Sequence, residues 1–233
     1  LNFELSLTAS EHENKHNRPD TIESRFEAAI LGQGGPNNNE QWNIFSPLEN
    51  SAGLIEYIKG SELSIKTANL VSLDGILTGQ SNRINFALGF QVNSEDLAIN
   101  YSEASRATFD ATGRLIKGAD LLFLGGGKNV STSRDKQAIF FEVNKNFYTD
   151  LDLILSGRYE TLQNNSSFDP KVSFKYSVSE NLLFRGSIGT SFTSPSMSQL
   201  FSSEIQLGSV RDINNSPFVR LAQLGNPNLK PAT

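Results

Sequence analysis

Apolar and polar residues alternate strictly along several stretches of this chain, which is the pattern of a β-strand with two different faces. Residues 1–9 and 84–92 carry an apolar side chain at almost every second position. Five more stretches, two of them less regular, repeat this pattern: residues 151–160, 172–178, 182–192, 63–77 and 135–143. The pattern therefore predicts seven strands.

Two other stretches repeat apolar residues at the period of an α-helix. Ile22, Phe26 and Ile30 are spaced four residues apart behind a candidate Asp or Thr cap in segment 20–30, and segment 51–59 behaves similarly. Both stretches lie inside long connections between strands. The chain is therefore predicted to be all-β, with short helices in its long loops.

The connections between the predicted strands alternate in length. Those over 78–83, 144–150 and 177–181 are short, that over 162–169 is medium, and those over 11–62, 98–134 and 194–233 are long. This rhythm is typical of an antiparallel up-and-down transmembrane β-barrel, which has short periplasmic turns and long outer loops. A soluble β-sandwich also alternates in polarity, so it remains an alternative.

Composition narrows the function classes. The 233 residues carry a net charge of −5, 37% are apolar and none is cysteine, so a disulfide scaffold and cysteine-ligated metal are excluded. The longest unbroken apolar runs have four residues, whereas a membrane-spanning helix needs about 20. No basic run exceeds a pair, which argues against a nucleic-acid partner.

Two sequence motifs resemble known binding motifs, one for zinc and one for phosphate. His12, Glu13 and His16 form an H-E-x-x-H sequence, which binds zinc when it lies on a helix. Because the motif continues from an alternating strand and meets Pro19, we expect a solvated loop tip and keep a zinc hydrolase only as a remote alternative. Residues 125–128 read Gly-Gly-Gly-Lys without the spacing of a phosphate-binding loop, so a flexible outer loop is predicted.

Three stretches near the end of the chain resemble the late barrel region of TonB-dependent outer-membrane receptors, in order and in spacing. They read FDPKVSFKY at 168–176, LLFRGSIGTSFTSPS at 182–196 and GNPNLKP at 225–231. Upstream, WNIFS at 42–46, GLIEYI at 53–58 and FALGF at 86–90 are similar to segments of the same family. The chain departs from the family pattern at Thr193, where an Arg is usual, and at Ala232, where a Glu is usual.

This resemblance implies a presumed barrel of about 22 strands plugged by a separate domain, in the outer membrane of a Gram-negative bacterium. Residues 1–233 are then a partial barrel domain of about seven strands, and we expect the plug domain, the TonB box and the C-terminal strands to lie outside it. The family imports large scarce ligands, such as siderophore-bound iron, cobalamin or glycans, with energy supplied through TonB. The resemblance implies neither an enzyme nor a cofactor.

Two sets of candidate functional residues follow from this interpretation. Aromatic residues in predicted outer loops are candidates for ligand contact or for packing between loops: Trp42, Phe45, Tyr101, Phe109 and Phe123. Charged residues on the predicted inner faces are candidates for steering an anionic ligand or plug residues, or for ion pairs with Glu142, Asp152 and one another: Lys66, Arg158, Glu160, Lys171, Lys175 and Arg185.

Two further expectations concern the membrane and the main alternative. Tyr148 and Tyr159 are predicted to anchor at the lipid headgroups, as aromatic girdles do in membrane barrels. The alternative is a soluble or surface-exposed β-module, either adhesin-like or acting on carbohydrate. That alternative predicts that the 233-residue piece folds alone in water.

Overall fold

The computed structural model describes residues 1–147, 150–162, 165–209 and 218–232. In chain order its elements are β1 (Asn2–Thr21), α1 (Glu23–Ile30), a 3₁₀ turn (Pro47–Glu49), α2 (Ala52–Ile58), β2 (Lys59–Ser81), β3 (Ile84–Tyr101), β4 (Thr108–Phe109), β5 (Leu115–Lys117), β6 (Val130–Phe147), β7 (Leu151–Leu162), β8 (Asn165–Ser179), β9 (Leu182–Gly189), α3 (Met197–Phe201), β10 (Glu204–Ser209) and β11 (Phe218–Gln223).

The main sheet contains the seven predicted strands, in the order β1-β2-β3-β6-β7-β8-β9, and every neighbouring pair is antiparallel. The strands that neighbour one another in the sheet are consecutive apart from the small β4–β5 hairpin, as an up-and-down barrel requires. Two short hairpins, β4–β5 and β10–β11, lie outside this sheet. The prediction of an all-β chain with short helices in its long connections is confirmed.

The register of the sheet separates an apolar face from a polar one. Phe3, Leu77, Leu88 and Phe141 lie side by side across four strands on the apolar face. These side chains are not covered: Phe3 is 62% exposed and Leu88 is 55% exposed. Tyr159 lies on the same face, whereas Tyr148 falls outside the described residues. A continuous exposed apolar band of this kind is what a lipid-facing barrel wall presents.

All six predicted inner-face charges lie on the polar face, because the register places them opposite the apolar band: Lys66, Arg158, Glu160, Lys171, Lys175 and Arg185. Two of the predicted ion pairs are present. Arg158 contacts Glu160 at 3.0 Å, and Lys175 lies 3.8 Å from Asp152.

The first strand is longer than predicted, and this overturns the expectation of a loop tip at the H-E-x-x-H motif. β1 pairs with β2 without a break as far as Thr21 opposite Lys59, so His12 and His16 lie within a strand. At about 3.3 Å per residue they are roughly 13 Å apart along the chain, too far to bind one metal ion together. Pro19 is tolerated because β1 pairs on one side only among the described residues.

Other boundaries also differ from the predictions. The medium connection predicted over 162–169 is wrong, since Leu162 already pairs with Asn165. The last strand of the main sheet ends at Gly189 rather than near residue 192. α1 is preceded by Ile22, which provides no side-chain cap, whereas Ser51 caps α2 by accepting a hydrogen bond from the Leu54 N–H. Among the described helices, none has the length and apolarity needed to cross a membrane.

We predict that the 233-residue chain, expressed on its own, aggregates in water and becomes dispersed only in detergent. β1 and β9 each leave one edge unpaired within the described sheet, and the apolar face is exposed. Such edges and faces associate between molecules. The measurement is the soluble fraction after ultracentrifugation, with and without detergent. A monodisperse, folded piece in plain buffer would favour the soluble β-module.

Candidate functional site

Loops fold over the polar face at the end of the sheet where the long connections lie. They enclose a cavity of about 410 Å³. The strands supply one wall and the loops supply the others: Asn14, His16, Arg18, Glu62, Ser64, Lys66 and Tyr101 from β1, β2 and β3, Leu124, Gly125 and Gly126 from the loop before β6, and Glu204 and Ile205 from β10. We call this the outer cavity.

Glu62 is the centre of the outer cavity. Its carboxylate is buried and accepts a hydrogen bond from Arg18 Nε at 2.8 Å and another from the backbone N–H of Gly126 at 2.8 Å. His16 Nε2 lies 3.6 Å from the same carboxylate. These contacts offset the free-energy cost of burying the charge. Glu62 therefore joins two strands to the loop that precedes β6.

The glycine triplet at 125–127 is not the flexible loop predicted from the sequence. Gly126 has a φ of +62°, and a Cβ there would collide with the Ser105 carbonyl oxygen. The Gly127 N–H donates to Ser105 O at 3.0 Å, and the Ile205 N–H donates to Gly126 O at 2.9 Å. Glycine is needed because the backbones approach closely, and the triplet forms a fixed wall of the outer cavity.

Tyr101 was predicted in a loop but is the last residue of β3, where it is buried and lines the outer cavity. Along β3, the apolar band ends at Val92, so Tyr101 lies well beyond it. Burial, together with the nearby carboxylates of Glu204 and Glu62, raises the pKa of the phenol. The hydroxyl is therefore a neutral donor at physiological pH, and it hydrogen-bonds Glu204.

The chain after β9 folds back onto the polar face and is fixed there by two tethers. Arg134 forms an ion pair with Glu95 and donates from Nη1 to Pro195 O at 2.7 Å. Lys66 forms the second tether with Glu204. Between the tethers, α3 buries Met197 against an apolar cluster at the end of β3: Leu97, Ile99 and Tyr101. Segment 190–205 thus covers this part of the sheet.

We predict that Gly126→Ala disrupts the outer cavity. The left-handed backbone conformation alone costs a non-glycine residue roughly 1–3 kcal/mol, and the collision with Ser105 O adds to this. The turn must shift, so Glu62 loses the Gly126 N–H. The measurement is hydrogen exchange at residues 124–128 of the full-length protein in detergent, which we expect to become faster. Gly113→Ala, also at positive φ but remote from Glu62, should leave those amides unchanged.

The five aromatic candidates lie in different environments in the structure. Trp42 packs edge-on against Phe26, with ring centroids 5.7 Å apart, so its ring contributes to the packing of the loop between β1 and β2. Phe45 is 97% exposed, and Phe123 is also exposed. Phe109 lies in β4 of the small hairpin. Of the five, only Tyr101 lines the outer cavity, and the others are not brought together with it.

Sequence reasoning missed Arg18, Glu62 and Glu204. Arg18 and Glu62 lie in regions predicted to be loop, and Glu204 follows the last predicted strand. Continuing the period-2 pattern of β2 back toward the chain start would have placed Glu62 on the same face as Lys66. Glu204 had no comparable signal, because Lys66 lies 138 residues away from it in the sequence.

The two departures from the family motif are neighbours in the structure. Thr193 and Ala232 form an isolated antiparallel bridge, in which each backbone N–H donates to the other's carbonyl, at 2.9 and 3.0 Å. The usual Arg and Glu are therefore both replaced at one paired position. The backbone pairing does not depend on their charges.

Comparison with known proteins identifies the fold. No curated protein sequence matches the chain. The crystal structure of the siderophore receptor PirA from Acinetobacter baumannii matches with a TM-score of 0.56 at 14% sequence identity. The match covers 98% of this chain but 28% of the PirA chain, so the piece spans less than a third of that protein. A family model described as "TonB dependent receptor-like, beta-barrel" matches residues 7–233. The chain therefore belongs to the β-barrel family of TonB-dependent receptors.

Proposed function

We propose that this chain is part of the barrel wall of an outer-membrane receptor, which binds an external ligand and passes it through the barrel by TonB-driven transport. The observation that carries the proposal is the separation of the two faces. An uncovered apolar band suits contact with lipid, and a charged face with its outer cavity suits a water-filled interior. The function needs no covalent chemistry.

The outer cavity is the best candidate for the site that binds the ligand. Its polar groups include both signs of charge, with Arg18 and Lys66 beside Glu62 and Glu204. The Tyr101 hydroxyl adds a neutral donor. Such a surface suits a hydrophilic ligand that both donates and accepts hydrogen bonds. Siderophore-bound iron, cobalamin and glycans all meet that description.

The exposed aromatic residues add a second, outer layer to this proposal. Phe45 and Phe123 lie on loops at the same end of the sheet as the outer cavity, and each exposes a ring to solvent. Asp20 fixes the backbone near Phe123 by accepting from the Phe123 and Leu124 N–H groups, at 2.7 Å for Leu124. We propose that these rings make early apolar contacts with the arriving ligand.

Uptake by cells that carry the full-length receptor tests the proposal. Three radiolabelled probes represent the ligand classes: a ferric siderophore, cyanocobalamin and maltoheptaose. We expect receptor-dependent accumulation of one probe, which disappears when TonB is deleted. Lys66→Met should reduce that accumulation at least tenfold, whereas Lys117→Met, in the exposed β5 strand, should not. Uptake that persists without TonB, or localisation of the receptor to the inner membrane, would contradict the proposal.

A further inference from the structure

Strand β6 extends farther toward the outer end of the sheet than its neighbour β7. Leu162, the last residue of β7, lies opposite Lys136, whereas β6 begins at Val130. Residues 130–135 therefore pair with β3 on one side and have no strand on the other side among the described residues. We call residues 130–135 the open edge. At about 3.3 Å per residue it is roughly 20 Å long.

The backbone of the open edge has unused hydrogen-bonding groups. The Gln137 carbonyl faces β7, since its oxygen lies 3.5 Å from Thr161 Oγ1. Backbone groups alternate in direction along a strand, so those of Ser131, Ser133 and Asp135 point the same way, beyond the end of β7. Within the described part of the chain, none of these N–H and C=O groups has a partner. Such an edge can pair with another strand.

Similar steps elsewhere in the sheet are at least partly covered by the chain itself. β2 extends beyond β3, but the Leu63 N–H donates to Ser105 Oγ, and the Leu63 carbonyl accepts from the Ser102 N–H. β8 extends beyond β9, and there the Thr190 N–H donates to Pro170 O. At the open edge of β6 no contact of this kind is present among the described residues.

The open edge lies just beyond the apolar band and carries negative charge. Ile139 is the last apolar residue of β6 on that face. Asp135 follows on the same face, and Asp96 of β3 lies diagonally from it, opposite Ser133. Asp135 accepts from the Ser94 hydroxyl at 2.8 Å, and among the described residues neither carboxylate pairs with a cation. Beyond the band, β3, β6 and β7 place no lysine or arginine on this face.

We propose that the open edge binds an extended basic segment of another protein outside the cell, which adds as a strand beside β6. A shallow cavity of about 320 Å³ marks the place, lined by Ser133, Arg134, Asp135, Gln137 and Thr161. The segment supplies backbone groups for β6 and a Lys or Arg for Asp135. A second copy of this chain would instead bring further carboxylates toward Asp135 and Asp96. The inference rests on the proposed function only for placing this end of the sheet outside the cell.

Binding of a synthetic peptide to the full-length receptor in detergent tests this inference. The probe is fluorescein-labelled TKVKVT, which as an extended strand places both lysines on one side. The control peptide is TEVEVT, which carries the opposite charge. We expect fluorescence anisotropy to show about tenfold weaker binding of TEVEVT. Hydrogen exchange over residues 130–136 should be fast in the free receptor and at least about fivefold slower with TKVKVT bound.

Two variants of Ser133 separate pairing through the backbone from contact with the side chain. Ser133→Pro removes an N–H on the open side and leaves the pairing with β3, as proline does at sheet edges. We expect it to weaken TKVKVT binding about tenfold, the effect of losing a hydrogen bond. Ser133→Ala keeps the N–H and should bind as the unchanged receptor does. A folded band in unboiled samples shows that each variant has assembled.

A charge variant tests the inference independently of the proline variant. Asp135→Asn removes the carboxylate but no backbone group, so TKVKVT should bind about threefold more weakly, as expected for an exposed ion pair. Glu13→Gln is the matched control, because Glu13 lies on the same face of the sheet, three strands away on β1. We expect Glu13→Gln to leave binding unchanged.

Several results would overturn the inference. Slow exchange over residues 130–136 before peptide is added would mean that another part of the receptor covers the edge. Equal binding of the two peptides, equal binding by Ser133→Pro and Ser133→Ala, or no detectable binding of TKVKVT would each contradict strand addition. Protection of the same amides by purified lipopolysaccharide instead of peptide would assign the edge to a lipid headgroup. Loss of ligand uptake with TKVKVT binding intact would count against the proposed function only.

Discussion

Leu88→Arg is expected to prevent the full-length receptor from assembling in the outer membrane. Leu88 is 55% exposed and lies at the centre of the apolar residues of β3, with Leu77 and Phe141 beside it. An arginine on the lipid-facing side at the middle of a bilayer costs about 2–4 kcal/mol. That is a large fraction of the net stability of a folded protein, which is about 5–15 kcal/mol.

The neighbouring residue gives a matched control. Ala87 lies on the polar face of the same strand, opposite Glu142, so Ala87→Arg adds the same charge where a carboxylate can pair with it. We expect Ala87→Arg to assemble normally. The measurement is the amount of receptor in purified outer membranes that migrates as a folded band when the sample is not boiled. In a soluble β-module Leu88 would face water, and Leu88→Arg would then be harmless.

Much of the barrel wall could be predicted from the sequence. A strand between two different environments alternates apolar and polar residues, so the pattern shows which face each residue occupies. The alternation in 84–92 fixes which face of β3 is apolar, and Leu88 lies on that face in the structure. The same reasoning placed Lys175 and Arg185 on the opposite face. No long-range information was needed for these assignments, because the barrel provides one environment on each side of the sheet.

The outer cavity could not be predicted in the same way, because its contacts join distant parts of the chain. Glu62 meets Gly126 64 residues later, and Lys66 meets Glu204. Alternation also weakens at the outer ends of the strands. There Leu97 and Ile99 of β3 lie on the polar face and pack against Met197. Folded loops replace water on this side, so the local polarity no longer shows which face a residue occupies.

A sequence motif was a reliable guide to chemistry only where the secondary structure that the motif requires was present. The H-E-x-x-H pattern needs a helix to bring His12 and His16 together, and the long pairing of β1 with β2 keeps them apart. Among the described residues no cluster of His, Asp and Glu is arranged to hold a metal ion. The glycine triplet at 125–127 was also misinterpreted. Its composition suggested a flexible loop, but glycine instead permits close backbone contact at Gly126.

Arg134→Met is expected to release segment 190–205 from the polar face. The Arg134 side chain is 7% exposed and pairs with Glu95 while it also donates to Pro195 O. Methionine removes both contacts and leaves Glu95 without its cation. Breaking a buried ion pair by removing one partner costs about 3–5 kcal/mol, and the partial exposure of Glu95 favours the lower end. About 3 kcal/mol corresponds to a roughly 100-fold larger open population.

Limited proteolysis of intact outer membranes measures this opening. Chymotrypsin cleaves after large apolar residues, and Leu200 and Phe201 of α3 become accessible only when the segment leaves the sheet. We expect cleavage there to be much faster in Arg134→Met than in Arg114→Met, which removes an exposed arginine. Glu95→Gln should have a smaller effect, because Arg134 still holds Pro195 O. Equal rates in the two arginine variants would mean that burial of Met197 alone holds the segment, and that the ion pair contributes little to closing the outer cavity.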